Sequence, residues 1–467
     1  MTEHGSSRRF VSLLAATAMG VYLLVVAGAT TALTDAATAC PTWPACHGEW
    51  VVPLDDPQLA VAWGHRVAAL VVGLLLVGTT VLGLRRADAS RRVKAAVGIS
   101  AALYPVQVGL GAFAATTATP ALLSAVHLVV GMAIFSGVVL ALAWTLEPDS
   151  HDEPRGVEDP DELPPAGPRP AVETPDDPFA RAKQTASAYF RLMKPRLMWL
   201  LCLVASAGMA LAAGPALRVE TVLATLAGGV LSIGASGTFN HVFERDVDRK
   251  MSRTADRPAA TERIPVRNAV AFGLLLAVLS LAAFLSVNVL AAALGLFAIL
   301  FYSVVYTLLL KPNTVQNTVI GGFAGALPAL IGWAAVTGEI GLPALVLAGV
   351  IFLWTPAHFY NLALAYKDDY ARGGFPMMPV VRGEAVTRKH ILLYLGATLL
   401  AAGALLTVTT LGWLYALTSV AFGTIFLWTV VRLHRERTEE AAFRSFHASN
   451  AYLGALLIAV VADALVF

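Results

Sequence analysis

The chain has 467 residues, of which 57% are hydrophobic and only 14% charged. A soluble domain is nearer a quarter charged, so this composition excludes a soluble globular protein and indicates an all-α polytopic membrane protein. The net charge of +2 gives no sign of a nucleic-acid partner, and the placement of the charges is more informative than their sum.

In chain order, the first apolar run, Phe10 to Leu33, is too long for a signal-peptide core and reads as a retained transmembrane helix. Counting apolar runs of about 20 residues as spans, three more follow near 59–84, 95–116 and 120–145. These four predict an amino-terminal four-helix domain over 1–146. Residues 147–188 are rich in Pro, Asp and Glu, a composition that cannot bury a core, and predict a disordered acidic linker. Nine further spans, near 196–214, 219–240, 266–288, 290–310, 317–337, 342–366, 389–412, 414–431 and 446–466, predict a nine-helix bundle over 189–467.

Lys and Arg set the orientation. With Arg8 and Arg9 cytoplasmic, alternation places Arg85–Lys94, the linker, 241–265, 311–316, 367–388 and 432–445 on the same side. Those segments hold nearly all the basic residues; Arg218 is the clear exception, and Arg66 lies within a span. A multi-pass protein of the cell membrane is expected, with its charged loops on the cytoplasmic side.

Two of those loops carry the chemistry. Asn240-His-Val-Phe-Glu-Arg-Asp-Val-Asp continues an apolar helix into water, and its spacing puts Asn240, Glu244 and Asp248 on one helix face, with Asp246 on the flank. Hard oxygen ligands stacked this way suit Mg²⁺, which takes one or two carboxylates and leaves positions for phosphate oxygens. Arg245, Arg249, Lys250, Arg253 and Arg257 crowd the same turns, as expected for an anion that arrives with its metal. A solvated, charge-mixed helix end is the bland alternative; placement at the end of a membrane helix favours function.

The second stretch, Tyr366-Lys-Asp-Asp-Tyr-Ala-Arg372, follows a span that holds Trp354, His358 and Asn361 in its last turns. Lys311 ends the span containing Tyr302 and Tyr306, in a third loop on that side. The convergence predicts a Mg²⁺-diphosphate site at the water boundary. An isoprenoid tail would lie among apolar helices, where a dry cavity protects an allylic carbocation.

These residues resemble the protohaem IX farnesyltransferases (haem O synthases) of the intramembrane prenyltransferase superfamily. The resemblance runs along most of 188–467. It is carried by Tyr189–Arg196, Asn240–Pro258, Gln316–Gly322, Trp354–Phe359 and Lys367–Val381. It implies transfer of a farnesyl group from farnesyl diphosphate to the 2-vinyl of haem b, giving haem O and diphosphate, with Mg²⁺. Carried over, Asn240, Glu244 and Asp248 would hold metal and diphosphate from one side, with Asp368 and Asp369 on the other. Glu244, Asp248, Asp368 and Asp369 would be the metal ligands. Lys311 and Arg253 would meet the phosphates, His358 would sit near the porphyrin, and Arg257, Lys367, Tyr306 and Asn361 would be further substrate-binding residues. Position 244 is Glu where the family usually has Asp, so the carboxylate reaches one methylene further, and Asp246 stands by to compensate.

In the amino-terminal domain, His65 and His127 sit at matched depth, each roughly six or seven residues from the outer end of its span. Two such histidines on neighbouring helices can ligate a haem iron axially; the alternative is a packing histidine with one hydrogen bond. Cys40 and Cys46, in the outward loop, can close a short disulfide. Zinc has only His47 as an adjacent further ligand, and Cys202, inside a span, reads as a small packing residue. This domain resembles one four-helix half of haem A synthase, through Gly28–Thr34, the Cys40–Cys46 loop, Trp63–Arg66, Gln107–Gly111 and His127. The family's first half usually carries Glu three residues before the histidine; here that position is Ala62. The missing carboxylate and the missing second half argue against full haem O oxidation here, so the domain is expected to receive, hold or pass haem, or to dock a separate haem A synthase, with haem–copper oxidase assembly as a further partner.

Other readings are a prenyltransferase acting on a quinone precursor or lipid, a haem carrier or membrane cytochrome, and a transporter. A transporter places its ion sites near the midplane, and a pure cytochrome leaves the carboxylate clusters unexplained.

Overall fold

The computed structural model describes residues 2–33, 36, 39–53, 55–117, 121–148 and 175–466, so most of the expected linker lies outside the described residues. Among the described residues every element is helical, apart from one isolated bridge between Cys46 and Glu49. Among the described residues thirteen helices are long and apolar enough to cross a membrane, and they coincide with the thirteen expected spans.

The helices are α1 (Thr2–Leu33), α2 (Pro57–Arg85), α3 (Arg91–Thr116), α4 (Ala121–Leu146), α5 (Pro178–Leu192), α6 (Pro195–Ala213) and α7 (Val219–Phe243). They continue with α8 (Arg245–Asp248), α9 (Val266–Leu285), α10 (Val289–Leu300), α11 (Asn317–Thr337) and α12 (Leu342–Ala365). Then come α13 (Lys367–Arg372), α14 (Met378–Val381), α15 (Glu384–Thr407), α16 (Trp413–Glu436) and α17 (Glu439–Val466). Residues 178–188, expected to belong to the linker, are helical. Asp177 caps α5 by accepting the Ala180 N–H at 2.7 Å, with Pro178 in the first turn, and the Pro- and acid-rich composition stops there.

Contacts gather the helices into two compact units that do not follow chain order. One holds α1–α4 with α16 and nearly all of α15; the other holds α5–α14 and α17. An amino-terminal boundary near 146 therefore describes the sequence, whereas the first unit also draws in Arg388–Arg437. Polar contacts explain the grouping, because hydrogen bonds and close packing drive helix association where water is absent. Tyr22 on α1 bonds Ser419 on α16 at 2.6 Å, both buried. Glu147, just past α4, pairs with Arg388 of α15 at 2.5 Å, with both side chains under 5% exposed. Arg437, after α16, stands 3.6 Å from the other oxygen of Glu147.

The second unit is held at its centre by small residues. A Cβ on Gly332 of α11 would lie 2.1 Å from the Ala205 carbonyl of α6, and one on Gly208 would lie 2.4 Å from the Ala329 carbonyl. Only glycine permits that backbone approach. Around this crossing α7 packs on α9, and α12 on α17.

Glu147 is the buried acid that faces both Arg388 and Arg437. Glu147→Leu is expected to destabilise the purified chain by about 3–5 kcal/mol, and Glu147→Leu with Arg388→Met to recover most of that. Thermal unfolding in detergent measures both.

Candidate active site

The site grows from the end of α7. Helical hydrogen bonds run through its exit: the Glu244 N–H donates to the Asn240 carbonyl at 2.9 Å, and the Asp248 N–H to the Glu244 carbonyl at 2.8 Å. The three side chains therefore keep the i, i+4, i+8 alignment although α7 ends at Phe243 and α8 starts at Arg245. Asn240, Glu244 and Asp248 are 1%, 5% and 2% exposed. Asp246 is exposed instead, paired with Arg245 at 3.0 Å and Arg249 at 3.5 Å. A side chain two residues away on a helix points to the opposite side, so Asp246 is not placed to compensate for Glu244.

Cations from three separate segments close on the buried face. Lys311 Nζ lies 2.6 Å from Glu244 Oε1. Arg257 Nη1 lies 2.8 Å from both oxygens of Asp248 and 3.8 Å from Glu244 Oε2. Lys194 Nζ donates to the Asn240 amide oxygen and, at 3.1 Å, to the Tyr302 hydroxyl. The Asn240 amide in turn donates to Thr307 Oγ1 at 3.0 Å.

Local backbone features make this convergence possible. Lys194 takes a left-handed conformation (φ +55°) immediately before Pro195, at a cost of about 1–2 kcal/mol for a residue with a Cβ. The turn lies so close to α7 that a Cβ on Gly237 would sit 2.9 Å from the Leu192 carbonyl. Residues Phe301–Leu310 form a π-helix, and the Lys311 N–H reaches back five residues to the Tyr306 carbonyl at 2.8 Å. Such wide turns recur at functional sites; here the segment supplies Tyr302, Tyr306 and Thr307, and Lys311 caps its end.

Electrostatics separate the two carboxylates. Burial works to raise the Glu244 carboxyl, but Lys311 and Lys194 outweigh it and hold it below the usual carboxylate range. At Asp248 burial prevails over Arg257, with Glu244 adding to it, and the carboxyl is raised. Burial, reinforced by Arg257, pushes Lys194 down to about 7.

The second acidic stretch plays a different part. Asp369 is buried, and its oxygens accept the Ser252 and Arg253 N–H groups at 3.1 and 2.9 Å. Burial raises its carboxyl, yet the hydrogen bond from Arg372 and those amides bring it below the usual range. Asp369 thus anchors the loop that carries Arg253 and Arg257, while Asp368 is exposed. Among the described residues no three His, Cys, Asp or Glu side chains gather as a metal cage, so the four-carboxylate ligand set is not drawn together. Lys367 pairs with Glu384 at 2.6 Å. Arg253 stacks over the Tyr366 and Tyr370 rings and donates to the Tyr370 hydroxyl at 3.2 Å.

His358 stacks between Trp354 and Phe446, with ring centroids 4.3 Å away on each side, and its Nδ1 meets Ser449 Oγ at 2.6 Å. Asn361 donates to the Ala357 carbonyl at 2.6 Å and keeps a buried, unpartnered Oδ1. Sequence reasoning gave no role to Lys194, Thr307, Arg372 or Ser449. A lysine before a helix-starting proline was the one available signal for the first, and none marked the others.

In the other unit, Cys40 and Cys46 are joined by a disulfide with Cα atoms 5.2 Å apart. Arg66 ties that loop to α2, donating to the carbonyls of Cys40, Thr42, Pro44 and Ala45 at 2.7–3.3 Å. His47 Nε2 meets the Ala39 carbonyl at 2.8 Å. The rings of His65 and His127 lie within electrostatic reach of each other. His65 packs where a Cβ on Gly28 would be 3.5 Å away, and His127 where one on Gly111 would be 3.1 Å away. Each has a buried Nδ1 without a hydrogen-bond partner, while His127 Nε2 lies 3.2 Å from Gln107 Nε2.

The sequence profile of the UbiA prenyltransferase family matches residues 200–454, more than half of the chain, including all of α7 and α8 and the segments that carry Arg257, Lys311 and Asp369. The chain belongs to that family. A second profile, of a cytochrome oxidase assembly protein family, matches residues 11–62. The chain is 67% identical to a protoheme IX farnesyltransferase of Haloarcula marismortui, over 98% of this chain and 99% of that one. It is 64% identical to one of Natronomonas pharaonis, over 98% of each. A protoheme IX farnesyltransferase of Saccharopolyspora erythraea is 44% identical, over 64% of this chain and 97% of its own length. A solved structure of digeranylgeranylglyceryl phosphate synthase covers 61% of this chain and 100% of its own, at 16% identity and a TM-score of 0.51, a likeness of fold alone.

In this UbiA-family chain the buried carboxylates and the exposed one should separate in activity. Asp248→Asn is expected to lower kcat/KM for prenyl transfer by about 100-fold or more, and Asp246→Asn by less than about threefold. Steady-state rates in membranes, normalised to folded protein, decide between them.

Proposed function

We propose that this protein transfers the farnesyl group of farnesyl diphosphate to the 2-vinyl of protohaem IX (haem b), giving haem O and diphosphate within a multi-pass membrane domain. The observation that carries this reading is the buried Glu244–Asp248 pair ringed by Lys311, Arg257 and Lys194. It sits in a chain that tracks protoheme IX farnesyltransferases over almost its whole length. The donor set is all hard oxygen, two carboxylates one helical turn apart with an amide beside them, which fits a Mg²⁺ that shares its coordination with substrate phosphates. Bound Mg²⁺ would supply a Lewis acid for the departing diphosphate. Lys311, Arg257 and Lys194 would meet phosphate oxygens, and Asp369 holds the loop that presents Arg257.

The bond from the prenyl C1 to the diphosphate oxygen breaks, and the electron pair leaves with diphosphate. The terminal vinyl carbon of haem attacks C1, and water captures the cation left on the inner vinyl carbon, releasing a proton. Tyr302 and Tyr306, with ring centroids 5.4 Å apart, line the approach to the cluster, where aromatic faces stabilise an allylic cation. His358, fixed by Ser449, Trp354 and Phe446, offers a flat aromatic surface suited to a porphyrin edge. The Arg and Lys distribution supports a cell-membrane protein with this site on the cytoplasmic side.

For the amino-terminal helices the same proposal assigns haem holding or delivery, with His65 and His127 as ligands. The support is their shared neighbourhood, the glycines that leave room for the rings, and the unpartnered Nδ1 atoms. Ala62 lacks a carboxylate, so haem A formation is assigned to a separate haem A synthase, a partner in oxidase assembly.

Membranes containing the full chain, given haem b, farnesyl diphosphate and Mg²⁺, are expected to yield haem O by mass, and none after chelation of the metal or in Asp248→Asn. A prenylated quinone precursor or lipid with unmodified haem would move the acceptor away from haem. Separately, the bis-histidine component of the haem absorbance of the purified full chain should be lost in His65→Ala with His127→Ala. An unchanged spectrum removes that assignment without touching the first.

A further inference from the structure

Both carboxylates that would hold a metal are already engaged. Lys311 takes Glu244 at 2.6 Å, and Arg257 takes both oxygens of Asp248 at 2.8 Å. The carboxylates are 5% and 2% exposed. Two anions and two cations make the paired cluster neutral. A bare divalent cation entering it must displace both cations from carboxylates that are almost wholly out of water and leave its own charge beside the two it has released. A diphosphate changes the balance. Its oxygens offer Lys311 and Arg257 replacement partners, bidentate for the guanidinium, so the carboxylates are released at little electrostatic cost. Its negative charge also offsets the metal, and the remainder faces the third cation, Lys194, held against Asn240 and Tyr302.

Resting on the metal site assigned above, we propose that Lys311 and Arg257 gate Glu244 and Asp248, so that the site takes up a divalent cation only together with a diphosphate. The two ion pairs act as a lock that the diphosphate opens. Metal binding is thereby coupled to the presence of substrate, and the ligand-free protein does not assemble a Lewis-acid site. The gate also explains why two long, flexible cations are held by buried carboxylates at the mouth of the bundle, where the desolvation cost needs a return. In the paired state Lys311 Nζ also lies 4.3 Å from the centroid of the Phe375 ring, which confines it beside Glu244.

The test uses the full chain in detergent, with Mn²⁺ as an electron paramagnetic resonance probe and inorganic diphosphate as the anion. Protein-bound Mn²⁺ is expected to be weak alone and to tighten by about 10-fold or more when diphosphate is added. Arg257→Gln and Lys311→Met are each expected to bind Mn²⁺ alone about 10-fold more tightly than wild type and to lose most of the coupling. Equal Mn²⁺ affinity of the wild type with and without diphosphate overturns the gate, and that measurement needs no variant to fold. Mn²⁺ bound by Arg257→Gln no more tightly than by wild type, in protein with an unchanged melting temperature, overturns it as well. The underlying metal assignment fails by a different result: Glu244→Gln and Asp248→Asn that still bind Mn²⁺ in the presence of diphosphate.

Discussion

A buried ionic cluster at the end of one membrane helix is the constraint around which the catalytic unit is built. Glu244 and Asp248 are almost wholly out of water, and an unpaired carboxylate there would be expensive. The fold answers by bringing Lys194, Arg257 and Lys311 from three other segments. Each arrival needs a backbone departure: a left-handed residue before Pro195, a loop anchored on Asp369, and a π-helix ending at Leu310. The strain is local and the electrostatic return is shared, which is the usual relation between unusual backbone and function.

The second acidic stretch shows how a site can use carboxylates of one type for two ends. Glu244 and Asp248 face cations that a phosphate can replace. Asp369 faces Arg372 and two backbone amides of the 252–253 turn, and the amides are partners that no ligand removes. One pair is exchangeable and chemical; the other sets the position of the loop that carries Arg257. An Asp-rich pattern in the sequence does not distinguish these tasks, because both demand an acid near a water boundary.

The amino-terminal helices follow a parallel logic with different parts. Their polar contacts reach α15 and α16 through Tyr22 with Ser419 and through Glu147 with Arg388. In an environment without a hydrophobic driving force between helices, such contacts join close packing in tying α15 and α16 to the first four helices. Helices adjacent in sequence thus divide between two packing units, even though the hydropathy record treats them as one uninterrupted series.

Much of the protein was legible from the chain alone. Apolar length sets the number of spans because every backbone group in lipid must bond within its own helix, and thirteen runs became thirteen helices. The i, i+4, i+8 spacing of Asn240, Glu244 and Asp248 placed them on one face, since helix geometry is local. The tertiary structure decided what spacing cannot encode. It chose Lys194 as a partner 46 residues from Asn240, turned Asp246 outward, made Asp369 an anchor, fixed His358 on Ser449, and grouped α15 and α16 with the first four helices. Those are contacts between distant segments, and their selection depends on which charges and small residues meet once the helices pack.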